Sequence, residues 1–148
     1  AVISPDSDDI LEITQRVEAL SRLLATEDGA NLLAGYRRAV NIVVAEEKKD
    51  GKTYSGTVET AALRQPEEVV LAEAAHAAAE TVSDNLAQDD YAAAVAALSA
   101  LRTPVDNFFD KVLVNDPDAK VRVNRLNLLA RLRDTMHLVA DFGKIAGA

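Results

Sequence analysis

From Gly29 to Gly51, in GANLLAGYRRAVNIVVAEEKKDG, apolar residues return at helical and not at strand spacing. At about 100° per residue, Leu32, Leu33, Tyr36, Ala39, Val40, Val43 and Val44 share one side of a helix. A strand, which turns its side chains over at every second residue, would split the same set between two faces. The opposite side carries Arg37, Arg38, Asn41, Lys48 and Lys49. Arg37, Asn41 and Lys48 follow one another at i, i+4 and i+11, with Arg38 and Lys49 beside them, so four cations form a strip that is expected to hold no carboxylate. Such a strip suits RNA. The alternative is a solvated outer face, along which long cationic side chains lay their methylene stems.

The same period governs the rest of the chain. Its 148 residues include 27 alanines, 4% aromatics and no tryptophan, which favours close-packed helices over sheets of branched and aromatic residues. A first helix is predicted from Asp8 to Ala25, with Ile10, Leu11, Ile13, Val17, Leu20 and Leu24 as its stripe. Thr26 or Asp28 caps the second, which ends near Asp50-Gly51. Pro66 suits the first position of a third helix through Ala87, because its missing N–H is not needed there. The core side of that helix is read as Val70, Leu71, Ala74, Ala78, Val82 and Leu86. Asp89 and Asp90 cap a short helix carrying Ala94, Val95, Leu98 and Leu101. Thr103-Pro104 opens another, in which Val105, Phe108, Phe109 and Val112 fall together. After a turn at Asn115-Asp116-Pro117, Pro117 starts a last helix to about Phe142, with Leu128, Leu129, Leu132, Met136 and Val139 inward and Gly143 as its stop. The expectation is one domain over residues 1–148, an all-α bundle of about five or six helices.

Charge limits what such a bundle can bind. The net charge is -8 and the pI about 4.7, against wrapping DNA or any long polyanion. The imbalance is local: residues 102–148 sum to +2 and residues 1–101 to -10. Absence of cysteine excludes disulfides and thiolate-bound zinc. No apolar run reaches the roughly 18 residues of a membrane span, and the acidic start AVISPDSDD is unlike a secretory leader. A cytoplasmic location with no membrane partner is expected. The acidic, proline-containing start without methionine fits a fragment of a longer polypeptide.

Catalytic patterns are scarce. Glu73-x-x-His76 and Asp134-x-x-His137 have the spacing of bundle metal ligands, but Glu73, His76, Glu80 and Asp84 fall opposite the core stripe and His137 lies away from Leu132 and Met136. The six glycines form neither a dinucleotide fingerprint nor a phosphate loop ending in Gly-Lys. Asp106 and Asp110, at i and i+4, read better as ion-pair partners than as an acid/base couple. No catalytic residue, metal site or cofactor is therefore assigned. Arg125 projects inward between Val121, Leu129 and Leu132 and needs a carboxylate partner; Asp106 or Asp110, on the preceding helix, is the expected one.

TEDGANLLAGYRRAVNI with EEKKDG shortly after it, then TPVDNFFDKVLVN, then VNRLNLLARLRDTMHLVADFGKI, resemble the C-terminal end of the beta subunit of bacterial heterotetrameric glycyl-tRNA synthetases, over nearly the whole chain. The resemblance implies an all-helical anticodon-binding domain, similar to the C-terminal domain of arginyl-tRNA synthetase named for its DALR signature, although those four letters do not occur together here. It also implies partners: a tRNA accepting glycine, the remainder of the beta subunit, and an alpha subunit holding the active site with its ATP and magnesium.

Proteins read unstacked RNA loops by stacking, by amide hydrogen bonds to base edges and by cations on phosphates. Arg37, Arg38 and Asn41 fit the first two roles, and Lys48, Lys49 and Lys52 the third. Tyr36 is read as core, with its hydroxyl reaching the rim. Asn124, Asn127 and Arg131 on the last helix are a second place to look. The alternative function is a non-catalytic scaffold that binds a protein through its acidic first two-thirds.

Overall fold

Each helix of the structure, a computed structural model describing residues 17–54 and 57–139, begins or ends where local chemistry demands it. Residues 17–24 are helical and form the described part of α1. The helices that follow are α2 (Glu27–Asp50), α3 (Pro66–Ala87), α4 (Tyr91–Ser99), α5 (Arg102–Lys111) and α6 (Ala119–His137), with a short 3-10 turn at Thr60–Ala62. Thr26 is the α2 N-cap: its hydroxyl accepts from the Gly29 N–H at 3.0 Å and donates to the Leu23 carbonyl at 2.6 Å, tying α1 to α2. Gly51, in the left-handed region at φ +67°, ends α2 by returning its N–H to the Glu47 carbonyl. Pro66 opens α3, and Asp90 caps α4 by accepting from the Ala93 N–H.

Packing centres on α6, whose Leu128, Leu129, Leu132 and Met136 are fully buried. It lies against α2 and α3, while α5 lies against α2 and α3, and α4 against α3. Phe108, Leu71, Val82, Leu98, Leu101 and Val105 join these α6 side chains in the core. Tyr54, Leu126 and Ala130 form a smaller cluster that holds the chain after α2 against the other side of α6. None of the described helices is long and apolar enough to cross a membrane.

Several expectations need correction. Within the predicted stripes, Val17, Val44 (54% exposed) and Val70 (47% exposed) face solvent. On α3 the buried line is Glu68, Leu71, Ala75, Ala78 and Val82, so the helix is rotated away from Val70 by a buried carboxylate that the apolar pattern ignores. The last helix starts at Ala119, not Pro117, because Asp116 accepts from the Asp118 N–H and Asp118 then caps the helix through the Lys120 N–H. It stops at His137, where Leu138 and Val139 tighten into a turn by donating to Thr135 and Met136. Ile10, Leu11 and Ile13, and the predicted stop at Phe142-Gly143, lie outside the described residues.

Candidate nucleic-acid interface

Gly35 determines how closely α2 and α5 approach. A Cβ there would stand 2.6 Å from Cγ1 of Val105, a separation that real side chains do not tolerate. One turn further along each helix, the close approach sets Arg38 against Phe109, with the guanidinium carbon 4.5 Å from the ring centroid. Phe109 in turn meets the buried Phe108 edge-on, ring centres 5.6 Å apart. Phe109 is half-buried, packed against the core with one part of its ring and turned towards Arg38 with the other.

Beside this pair runs an open groove of about 770 Å³. One wall is α2, with Arg37, Arg38, Asn41 and Glu46; the other is the end of α5 and the chain beyond it, with Phe109, Val112, Leu113, Val114 and Asn115. A smaller hollow of about 450 Å³ lies across the Arg38–Phe109 ridge, where Arg102, Asp106 and Asp110 replace the apolar wall.

Two arginines of α6, one turn apart, hold the second wall in place. Arg125 is buried and donates through Nε to Glu68 Oε1 at 2.9 Å, through Nη2 to Gln65 at 3.1 Å, and through Nη1 to the Leu113 carbonyl and, at 3.4 Å, to Asp116. Burial pushes the Glu68 carboxyl up, but the Arg125 guanidinium and the backbone N–H groups of Gln65 and Arg64 outweigh it and hold the group below the usual carboxylate value. Arg122 donates to Asn115 at 3.1 Å, to Asp50 at 2.9 Å and to Glu46. The carboxylates of Glu46 and Asp50 raise the Arg122 guanidinium well above its ordinary value, and bonds from Tyr54 and Arg122 lower the Asp50 carboxyl. Glu46 is therefore a paired acid inside the groove, sharing the Arg122 guanidinium with Asp50. It stands beside the Arg37, Arg38 and Asn41 part of the cation strip, with a cation from another helix against it.

The structure brings Arg37, Arg38 and Asn41 together in the groove; Lys48, Lys49 and Lys52 stand apart. Lys48 and Lys49 are exposed in the last turn of α2, about 10 Å further along its axis at 1.5 Å per residue. Lys52 lies over the Tyr54 ring at 5.3 Å. Tyr36 is 2% exposed and its hydroxyl reaches His137 Nε2 at 2.7 Å, so its ring belongs to the core and its hydroxyl to the rim. Asn124, a proposed RNA contact, is buried instead, with its amide engaged by the N–H and carbonyl of Glu59. The expected Arg125 partners are also wrong. Asp106 pairs with Arg102 and Asp110 with Lys111, because α5 packs on α2 and α3 and leaves the buried flank of α6 to the start of α3. His76 pairs with Glu80 on an exposed face, and no three His, Asp or Glu side chains gather as metal ligands among the described residues. Sequence reasoning missed Glu68, Arg122 and the outward role of Phe109. The double phenylalanine was the available signal for the last.

Residues 32–142 match the DALR anticodon binding domain family. The chain is 55% identical, over 95% of its length, to the glycine–tRNA ligase beta subunit of Rhodospirillum centenum, and 50% identical, over 99%, to that of Phenylobacterium zucineum. It spans about a fifth of the length of these relatives, 20% and 22% respectively.

Proposed function

Since the chain belongs to the DALR anticodon binding domain family, we propose that it is the tRNA-gripping module of a glycine–tRNA ligase beta subunit, and that its groove receives the anticodon loop of a tRNA accepting glycine. The observation that carries the assignment is the meeting of Arg37, Arg38, Asn41 and Phe109 in one groove whose one acid among the described residues, Glu46, is paired with Arg122. Unpaired loop bases offer π faces and polar edges, which a guanidinium, an amide and an aromatic ring can engage. Lys48, Lys49 and Lys52 lie where the phosphates flanking the loop would pass, and long-range attraction from these cations orients the RNA. The acidic remainder discourages binding elsewhere.

The chain contributes binding and no chemistry. Glycine activation, with ATP and magnesium, falls to the alpha subunit of a cytoplasmic heterotetramer, in which this module joins the rest of the beta subunit. Filter binding of a glycine-accepting tRNA at low and moderate salt tests the proposal. Saturable binding, weakened by Arg37→Ala, Arg38→Ala and Asn41→Ala with the fold intact, is the expected result. Equal retention of every tRNA, unaffected by these changes, refutes it and favours a protein-binding scaffold.

A further inference from the structure

Resting on the RNA reading of the groove, the geometry points to a subsite for a single unstacked base, built from the Arg38–Phe109 pair on one side and Leu113 on the other. Leu113 is 66% exposed, yet its backbone is not slack, because the buried Arg125 holds its carbonyl. A fixed backbone with an outward aliphatic side chain beside an aromatic ring presents a preformed apolar surface at the groove's edge. Val112 and Val114 continue it on either side. Phosphate has no use for such a wall. A base does, since its faces are apolar and its edges polar.

Arg38 supplies the matching plane. Its guanidinium lies over Phe109, so its position is set before any ligand arrives and little side-chain freedom remains to be lost on binding. Guanidinium planes and aromatic rings are the two surfaces on which proteins stack bases. Asn41, one turn away along α2, brings an amide to the same groove for the base edge. The side of the ridge is fixed by the apolar wall. Across it the hollow offers Arg102, Asp106 and Asp110 where the groove offers Val112, Leu113 and Val114, so it is the groove that gives a base an apolar face opposite the pair.

The subsite is tested with RNA hairpins carrying the anticodon loop of a glycine-accepting tRNA, each with 2-aminopurine at one loop position, titrated with the full 148-residue chain. Wild-type protein should change the fluorescence strongly at one position. Phe109→Ala, which takes away the ring that fixes the Arg38 plane, should weaken binding about tenfold and remove that signal, the scale of one lost stacking contact. Phe109→Tyr should preserve both. Leu113→Ser, at an exposed position that leaves the core untouched, should weaken binding less but diminish the same signal. Lys48→Ala with Lys49→Ala should weaken binding and leave the signal at saturation unchanged. Hairpin binding with equal signals at all positions, or with Phe109→Ala and Leu113→Ser matching wild type, overturns the subsite while leaving the RNA reading standing. Failure of the wild-type chain to bind any of the hairpins overturns both.

Discussion

Removing the Arg125 guanidinium strands the Glu68 carboxylate, which is 0% exposed and keeps only the N–H groups of Gln65 and Arg64. Arg125→Ala should therefore cost about 3 kcal/mol or more, measured by urea unfolding. The loop at Leu113 should loosen with it, so RNA affinity should fall further than the loss of one remote residue implies. Glu68→Gln isolates the pH dependence. The folded carboxyl is depressed below its ordinary value of 4.5, so its contribution is full above that pH and is lost as pH falls through the depressed folded value. Glu68→Gln should flatten the acid side of the stability profile, followed by thermal melts between neutral pH and the onset of acid unfolding. An unchanged acid limb would mean that other carboxylates control it. At this scale the sequence revealed the need and not the partner. An inward arginine among leucines has to be paired, but Glu68 resembles any first-turn glutamate that favours a helix N-terminus, and only the packing of α3 on α6 buries it. Arg122 was equally hidden, since its partners Glu46 and Asp50 lie on a helix more than 70 residues away in sequence.

Helices α2 and α5 meet through a glycine and a valine, and the groove inherits its width from that contact. Gly35→Ala would drive a methyl group into Val105 and should destabilise the protein by roughly 1 to 3 kcal/mol. It should also part Arg38 from Phe109, lowering RNA affinity. Combining it with Val105→Ala makes room for the methyl group and should restore part of the affinity more fully than the stability, since a core side chain is trimmed. Melting temperatures and titrations of the single and double variants check both effects; if Gly35→Ala melts like wild type, the close approach does not govern the groove. Helix existence and most boundaries were legible in the sequence because caps are local: Thr26, Gly51, Pro66 and Asp90 act on their own neighbours. Faces were less legible. Val44 and Val70 satisfy the apolar period, yet tertiary packing rotated both to solvent, and Phe109 packs on the core while also lining the groove.

Over the whole molecule, a net charge of -8 surrounds a small basic site. Replacing Lys48 and Lys49 with Ala should weaken all tRNAs alike and reduce the slope of log affinity against log salt by about two counterions, roughly one per lost phosphate contact. The fold should be indifferent, because both side chains are exposed at the end of α2. The chain alone should show no glycine-dependent pyrophosphate exchange, and exchange by material free of any alpha subunit would place chemistry in this module. The cation strip was visible in the sequence, but its division into a groove pair at Arg37 and Arg38 and a distant lysine group was not, because that depends on where α5 and the Leu113 chain pack against α2. The most direct test compares the affinity of the chain for a glycine-accepting tRNA with that for the same tRNA carrying a substituted anticodon. Wild type should prefer the glycine anticodon by roughly 1 to 3 kcal/mol, the scale of one good base contact, and Arg38→Ala with Asn41→Ala should erase the preference. Equal affinity of the wild-type chain for both tRNAs would contradict anticodon reading by this groove.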